Sequence, residues 1–354
     1  MTEPTPKPSL PSIGQPLRRA VSVSTEDLVR AEAPPGGGKL PLVLRPSVPG
    51  VDLAAWAEGH REQLTRDLLE HGGILFRGFP LATVEDFERV VRAISGDLLE
   101  YKERSSPRHA VAGKVYTSTD YPPDQPIFLH NENSYQNAWP MQIFFFCHTA
   151  ARRGGETPIA DTRRIYERID PEVRRRFLEK KWMYVRNFGD GFGLPWTTVF
   201  QTDDRAAVEA HCEKSGIRTE WKDGNRLRTR AVRPAISEHP YSGEKVWFNH
   251  ATFFNVGTLT ENLREALLEE FPVEDLPTHT YYGDGTPIEP EVLDHLRACY
   301  AAETVSFPWE QGDLLMLDNM LAAHGRGSYE GERKVMVAMS DPKTWADLAE
   351  PAGI

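Results

Sequence analysis

Apolar residues recur at helical spacing from Asp52 to Glu70, at Leu53, Trp56, Ala57, Leu64 and Leu68. His71-Gly72-Gly73 follows as a stop, so the pattern predicts a helix over 52–70. The short apolar run "ILFRGF" after it predicts a buried strand. Thr83 and Asp86 have the spacing of a capping box ahead of Phe87, Val90, Val91 and Ile94 on one face, with Gly96 to end that helix. From Gly113 to Asp161 the period shortens: "KVYTST", "MQIFFFCHT" and "ETPIAD" are β-prone runs separated by Pro, Asn and Gly. Asp170-Pro171 opens a helix through "PEVRRRFLEKK", and "MYVRNF", "RTRAVRPAIS" and "KVWFNHATFF" return to strand character. Helical segments over 261–271 and 289–302 precede a last β pair, "DLLMLDN" and "RKVMVAMS". Strands on both sides of a helical and loop-rich insertion predict a mainly β fold with flanking helices, a double-stranded β-helix or jelly roll.

The chain of 354 residues is long enough to bury a large single core. Residues 1–45 are rich in Pro, Ser and Gly and read as a flexible arm, 46–345 as the folded domain with the insertion at about 163–302, and 346–354 as a tail. A formal net charge of −11 speaks against a nucleic-acid partner, because phosphate recognition rests on clustered Lys and Arg. Cys147, Cys212 and Cys299 are far apart and form no CxxC pair, so neither a disulfide framework nor a thiolate metal site is indicated. No window approaches the ~18 apolar residues of a membrane span, and the N-terminus has no apolar signal region. A cytoplasmic enzyme without a membrane partner is the expectation.

Within "FLHNENSYQNAWPMQIFFF", His130 and Glu132 stand two apart at the mouth of an apolar run. On a strand such positions share a face, roughly 6.5 Å apart at the backbone, and can converge on one ion. A second imidazole would complete the facial triad that holds non-haem Fe(II) while leaving coordination positions open. His324, in "LDNMLAAHGRGSYEGERKVMVAM", is favoured as the third ligand because it lies between two apolar strands, the second opening with Arg333. His148, His239, His250 and His279 are the rival ligands. By itself HxE is also what a hydrogen-bonded His and a solvated Glu at a strand end look like.

The blocks "LHNENSYQNAWPMQIFFFCHTAARRGGETPIADTRRIYERI", "GLPWTTVFQTDD", "RTRAVRPAISEHPYSGEKVWFNHATFFN" and "AAHGRGSYEGERKVMVAM" resemble, in that order, the TauD/TfdA family of Fe(II)/2-oxoglutarate-dependent dioxygenases. Within it they look most like the syringomycin-biosynthesis-type hydroxylases. The resemblance spans about residues 50–345. It implies that His130, Glu132 and His324 bind iron, and that Thr157 in "GGETPIAD" and Arg333 hold the far carboxylate of the cosubstrate 2-oxoglutarate. Lys334 and Arg326 are neighbours able to take Arg333's part. Strand alternation places Arg333 and Lys334 on opposite faces, so only one of them should face the metal. Glu132 stands where many taurine dioxygenase relatives have Asp. Its retention disfavours halogenation, since related halogenases give up the carboxylate ligand for chloride. The implied reaction uses Fe(II), 2-oxoglutarate and O2 to hydroxylate an unactivated C–H of an amino acid or amino-acid derivative in antibiotic or secondary-metabolite biosynthesis. Desaturation and ring closure are variants of the same chemistry.

Around the motif, Tyr116 and Ser118 precede the iron ligands, Asn133 and Tyr135 follow them, and Trp247 and Asn249 sit on a later strand; these are the candidate substrate contacts. For each, packing or turn formation is the competing reading. Arg152, Arg153, Arg163, Arg164, Arg174, Arg175, Arg176, Lys180, Lys181 and Arg186 cluster after the motif and offer a docking face for an acidic carrier protein, unless they are a solvated face laced with Asp170, Glu172 and Glu179. Two other functions remain open from the residues alone: a jelly-roll metal-binding protein without turnover, and a Zn²⁺ hydrolase using the same three ligands.

Overall fold

The capping box forms as its spacing predicts. Thr83 Oγ1 accepts the Asp86 N–H at 3.1 Å and the Asp86 carboxylate accepts the Thr83 N–H at 3.1 Å, starting the helix Val84–Ser95. The computed structural model describes residues 28–34, 37–99, 110–112, 114–117, 121–189 and 193–348. The helix predicted over 52–70 is two, Leu53–Gly59 and Arg61–His71. The break is at His60, whose ring stacks on Trp56 at 4.4 Å while its Nδ1 donates to the Trp56 carbonyl. All five apolar positions read from the period are buried.

These three helices cover one face of an eight-stranded sheet ordered Val29–Glu32, Leu42–Pro46, Gly73–Phe76, Leu314–Asp318, Ala138–Thr149, Lys334–Thr344, Val115–Thr117 and Ala110–Ala112. Alternate residues of the central strands, among them Ile74, Phe76, Phe144, Phe146, Met316 and Met336, pack under the helices. The residues between them, including Leu75, Ile143, Phe145, Leu315 and Val337, point the other way and form a second core with Ile159 and Ala322 of a four-stranded sheet ordered Thr304–Val305, Ile159–Asp161, Ala322–Arg326 and Ile127–His130. This is the jelly-roll core: two facing sheets that do not close into a barrel.

Three sequence expectations are corrected. The arm does not run to residue 45, because Val29–Glu32 and Leu42–Pro46 pair into the large sheet and Val43 and Leu44 are buried on its two faces; residues 1–27 lie outside the described residues. The strand read in "KVWFNHATFF" ends at Trp247 and turns from Ala251 to Phe254. His324 is not in a connection but on a strand of its own, Ala322–Arg326, missed because all five residues are buried and leave no alternation. Of the tail, Leu348 packs beside Trp345 of the domain against a cluster around Trp139 and Phe248, and 349–354 lie outside the described residues. The insertion adds to its helices a four-stranded sheet, ordered Ile217–Trp221, Leu227–Arg233, Trp182–Phe188 and Thr278–Tyr282. No helix among the described residues is long and apolar enough to cross a membrane.

Candidate metal centre

His130 ends the strand Ile127–His130 and is the direct cross-strand partner of His324, which brings the two rings to 4.5 Å between centroids. Gly325 permits this pairing. A Cβ at Gly325 would stand 2.6 Å from the Ile127 carbonyl oxygen, at the place where the register between the two strands shifts. Glu132 follows on the same side, with Oε2 3.7 Å from His324 Nε2: longer than a hydrogen bond and close enough to share one ion. One ligand atom from each of the three residues lies within 4.8 Å of the others.

The tautomer of His130 is set by its neighbour. A carbonyl oxygen only accepts, so the Phe128 carbonyl 2.8 Å from Nδ1 keeps the proton there and turns the Nε2 lone pair to the cluster. Glu132 is held by its backbone. Its N–H donates to Asn319 Oδ1 at 2.7 Å, and Asn319 Nδ2 returns bonds to the Glu132 and Pro140 carbonyls at 2.9 Å each. Asn131 Nδ2 donates to the Asn319 carbonyl at 2.6 Å, and the chain leaves through Asn133 at a φ of 58°, in the left-handed region. Asn319 is a site residue that the sequence reading missed, since only "DN" after an apolar strand marked it. Phe145 and Phe253, with ring centroids 5.0 Å from His324 and 4.8 Å from His130, form an apolar wall. Two imidazoles and one buried carboxylate, converging on one point, are the donor set suited to Fe(II).

The rival histidines are engaged elsewhere. His239 Nε2 pairs with Asp318 at 3.0 Å, His279 Nδ1 accepts the Val256 N–H, and His148 Nδ1 contacts Thr149 Oγ1. His250 lies beside the triad, 5.5 Å from His130 between ring centroids, but its Nδ1 bonds Ser134 Oγ at 2.6 Å. Burial, and then His130, hold its pKa well below the usual range, so it is a neutral wall.

Thr157 and Arg333 meet although 176 positions separate them: Arg333 Nη2 donates to Thr157 Oγ1 at 3.4 Å and Nε to the Gly155 carbonyl at 2.8 Å. Gly155, at a φ of 77°, makes room, since a Cβ there would stand 3.0 Å from Arg333 Cδ. Burial, together with Arg326 beside it, lowers the Arg333 pKa to about 10, so the guanidinium is charged at neutral pH and favours an anionic ligand. Arg326 does not take its part, because its guanidinium is committed to the carbonyls of Tyr121, Pro122 and Gln125. A second missed residue, Trp309, donates its indole N–H to Thr157 Oγ1 at 3.2 Å.

The candidate substrate contacts divide. Tyr116 pairs with Val337, which pairs with Phe145, so it lies on the row facing His324. Asn133 adjoins Glu132, and Tyr135 packs edge-on to His250 at 5.0 Å behind the triad. Trp247 is corrected to the core: it is fully buried against Phe177. Asn249 is corrected to a backbone brace, its amide bonding the Ala235 carbonyl and the Ala251 N–H. Ser118 lies outside the described residues.

The model of the taurine catabolism dioxygenase TauD, TfdA family matches residues 38–339. The chain belongs to the TauD/TfdA family. This TauD/TfdA chain is 42% identical over 275 residues to the dapdiamide synthesis protein DdaC of Enterobacter agglomerans, covering 78% of itself and 84% of that relative. It is 32% identical over 282 residues to a clavaminate synthase-like protein of Arabidopsis thaliana, covering 77% and 82%. Among solved structures, PvcB of Pseudomonas aeruginosa superposes with a TM-score of 0.52 at 16% identity, covering 90% of this chain and 93% of PvcB. AAD-2, in complex with Mn(II) and N-oxalylglycine, reaches 0.50 at 13% identity, covering 88% and 96%. At such identities the structures show the shared fold. As a TauD/TfdA member the protein is a 2-oxoglutarate-dependent non-haem iron dioxygenase, with Fe(II) as cofactor and 2-oxoglutarate and O2 as cosubstrates.

Proposed function

We propose that this dioxygenase hydroxylates an unactivated C–H of an amino acid or amino-acid-derived small molecule in antibiotic or secondary-metabolite biosynthesis. His130, Glu132 and His324 bind the iron, and Thr157 and Arg333 bind the far carboxylate of 2-oxoglutarate. The observation that carries the reading is the convergence of the three ligand atoms within 4.8 Å, with the carboxylate ligand retained. Retention of Glu132 leaves no ligand vacancy for chloride and so favours hydroxylation over halogenation. The relative DdaC is a dapdiamide synthesis protein, which supports a biosynthetic substrate.

When bound, the iron and 2-oxoglutarate supply the activation of O2, with 2-oxoglutarate oxidised to succinate and carbon dioxide. The chain's own residues place and shield. Arg333 offers parallel N–H donors that match a carboxylate, and the hydroxyl of Thr157 adds another. Phe145 and Phe253 exclude water beside the imidazoles, and neutral His250 completes the wall without adding charge.

The basic cluster is largely neutralised within the chain: Arg152 by Glu330, Arg163 by Asp161 and Glu244, Arg164 by Glu167, Arg175 by Glu172 and Glu179, Arg176 by Glu289, and Lys180 by Asp284. That pairing favours a substrate that arrives free over one carried by an acidic protein. The test incubates the iron-loaded enzyme, 2-oxoglutarate and ¹⁸O₂ with a panel of amino acids, each free and carrier-loaded. The expected result is succinate release coupled to a product heavier by one ¹⁸O atom with a free amino acid. A product lighter by two hydrogens would replace hydroxylation with desaturation or ring closure. Turnover of loaded forms only would restore the carrier.

A further inference from the structure

We infer that Trp309 is a positioning residue for 2-oxoglutarate, acting by fixing the direction of the Thr157 hydroxyl proton. The inference rests on the assignment of Thr157 and Arg333 to the far carboxylate.

A threonine hydroxyl has one proton to give and two lone pairs to receive with. At Thr157, which is 2% exposed, both known partners are obligate donors: the indole N–H of Trp309 at 3.2 Å and Arg333 Nη2 at 3.4 Å. Neither an indole N–H nor a guanidinium can accept. With both lone pairs engaged, the proton must point away from Trp309 and Arg333, and no described residue accepts it. It is left for an acceptor entering the pocket beside Arg333, which is where a carboxylate oxygen would lie. Two donors into one oxygen also polarise the hydroxyl and strengthen it as a donor in turn. Without the indole, the hydroxyl regains a free lone pair and its rotational freedom, and part of the preorganisation is lost.

The indole is itself held independently of the metal. Trp309 is 8% exposed and lies on the turn before the strand Leu314–Asp318. Arg77, on the residue after the strand Gly73–Phe76, donates to the Pro308 carbonyl at 2.8 Å and forms a two-pronged pair with Asp313 at 2.9 and 2.6 Å. Asp313 in turn accepts the Glu310 N–H at 2.8 Å, and Phe307 packs edge-on to Trp309 at 6.0 Å. The turn is thus pinned at both ends, with the indole N–H aimed at Thr157.

The test titrates iron-loaded protein, under argon, calorimetrically with 2-oxoglutarate and with oxalate, which reaches the metal but has no far carboxylate. Trp309→Phe keeps a ring and removes the N–H. It should weaken 2-oxoglutarate by about tenfold while oxalate and iron affinities stay within about twofold. Thr157→Val should show a similar loss, and the double variant should be no weaker than Thr157→Val alone, because the indole acts only through the hydroxyl. If Trp309→Phe lowers the melting temperature, β-(3-benzothienyl)alanine at 309 keeps the shape without the N–H and should give the same selective loss. Unchanged 2-oxoglutarate affinity, an equal loss for oxalate, or losses that add in the double variant would overturn the inference. If Thr157→Val and Arg333→Ala both leave 2-oxoglutarate binding intact, it is the pocket assignment that fails instead.

Discussion

Asn319 touches no ligand atom yet fixes where Glu132 stands, by bonding both the N–H and the carbonyl of its backbone. Replacing it with Ala would leave those buried groups unpaired and free the turn. Iron affinity should fall by about 10- to 100-fold, the usual effect of losing an outer-shell partner, as read by competitive metal titration; unchanged affinity would show that the turn holds itself. Arg333→Ala removes the charge proposed to face the far carboxylate of 2-oxoglutarate. A loss of about 3 kcal/mol is expected, on the order of a hundredfold in 2-oxoglutarate affinity, with iron affinity little changed. Lys334→Ala should do little, and the reverse ranking would put the strand out of register by one. How legible these residues were follows from their spacing. His130 and Glu132 stand two apart, so local geometry sufficed to link them. Thr157 and Arg333 are 176 apart, Asn319 is 187 from Glu132, and Trp309 is 152 from Thr157. No local pattern joins residues so distant. The first pair was reached only through family resemblance, while Asn319 and Trp309 were not reached at all.

At the scale of elements, the site depends on how closely the strand Ala322–Arg326 approaches Ile127–His130. Gly325→Ala would drive a methyl group against the Ile127 carbonyl. Overpacking of this kind costs about 1–3 kcal/mol. Here it should also separate His130 from His324, so denaturant midpoint and iron affinity are expected to fall together. Arg77→Leu tests a different joint. It leaves Asp313, whose side chain is 1% exposed, buried without its partner. A loss of about 3–5 kcal/mol in unfolding free energy is expected, and a denaturant curve like that of the wild type would contradict it. Elements with one wet face were legible, as with Val84–Ser95, where the capping box and apolar stripe agree. Ala322–Arg326 was not, because burial on both faces erases alternation. Trp247 and Asn249 were misread for a related reason: an aromatic and an amide near a strand end look alike in sequence whether they line a pocket or seal a core, and only packing separates them.

Across the whole molecule, the sheets are held together by extensive clusters of buried apolar side chains, whose packing needs no ion. Chelating the metal should therefore abolish turnover with little change in far-ultraviolet circular dichroism. The charge map carries a similar separation of surface from site. Reversing Arg174, Arg175 and Arg176 breaks the exposed or half-buried pairs of Arg175 and Arg176 and removes the Arg174 guanidinium from the Tyr166 ring, and turnover of a free amino acid should be unaffected at low and high salt. The most direct measurement is iron content together with oxygen-dependent succinate release from 2-oxoglutarate, taken in parallel on the wild type and on His130→Ala, Glu132→Ala and His324→Ala. The wild type should hold iron and release succinate only with oxygen, and each variant should keep its fold and lose both iron and turnover. Near-wild-type turnover in any one variant with iron in excess, or turnover that persists without oxygen, would contradict the assignment of these three residues.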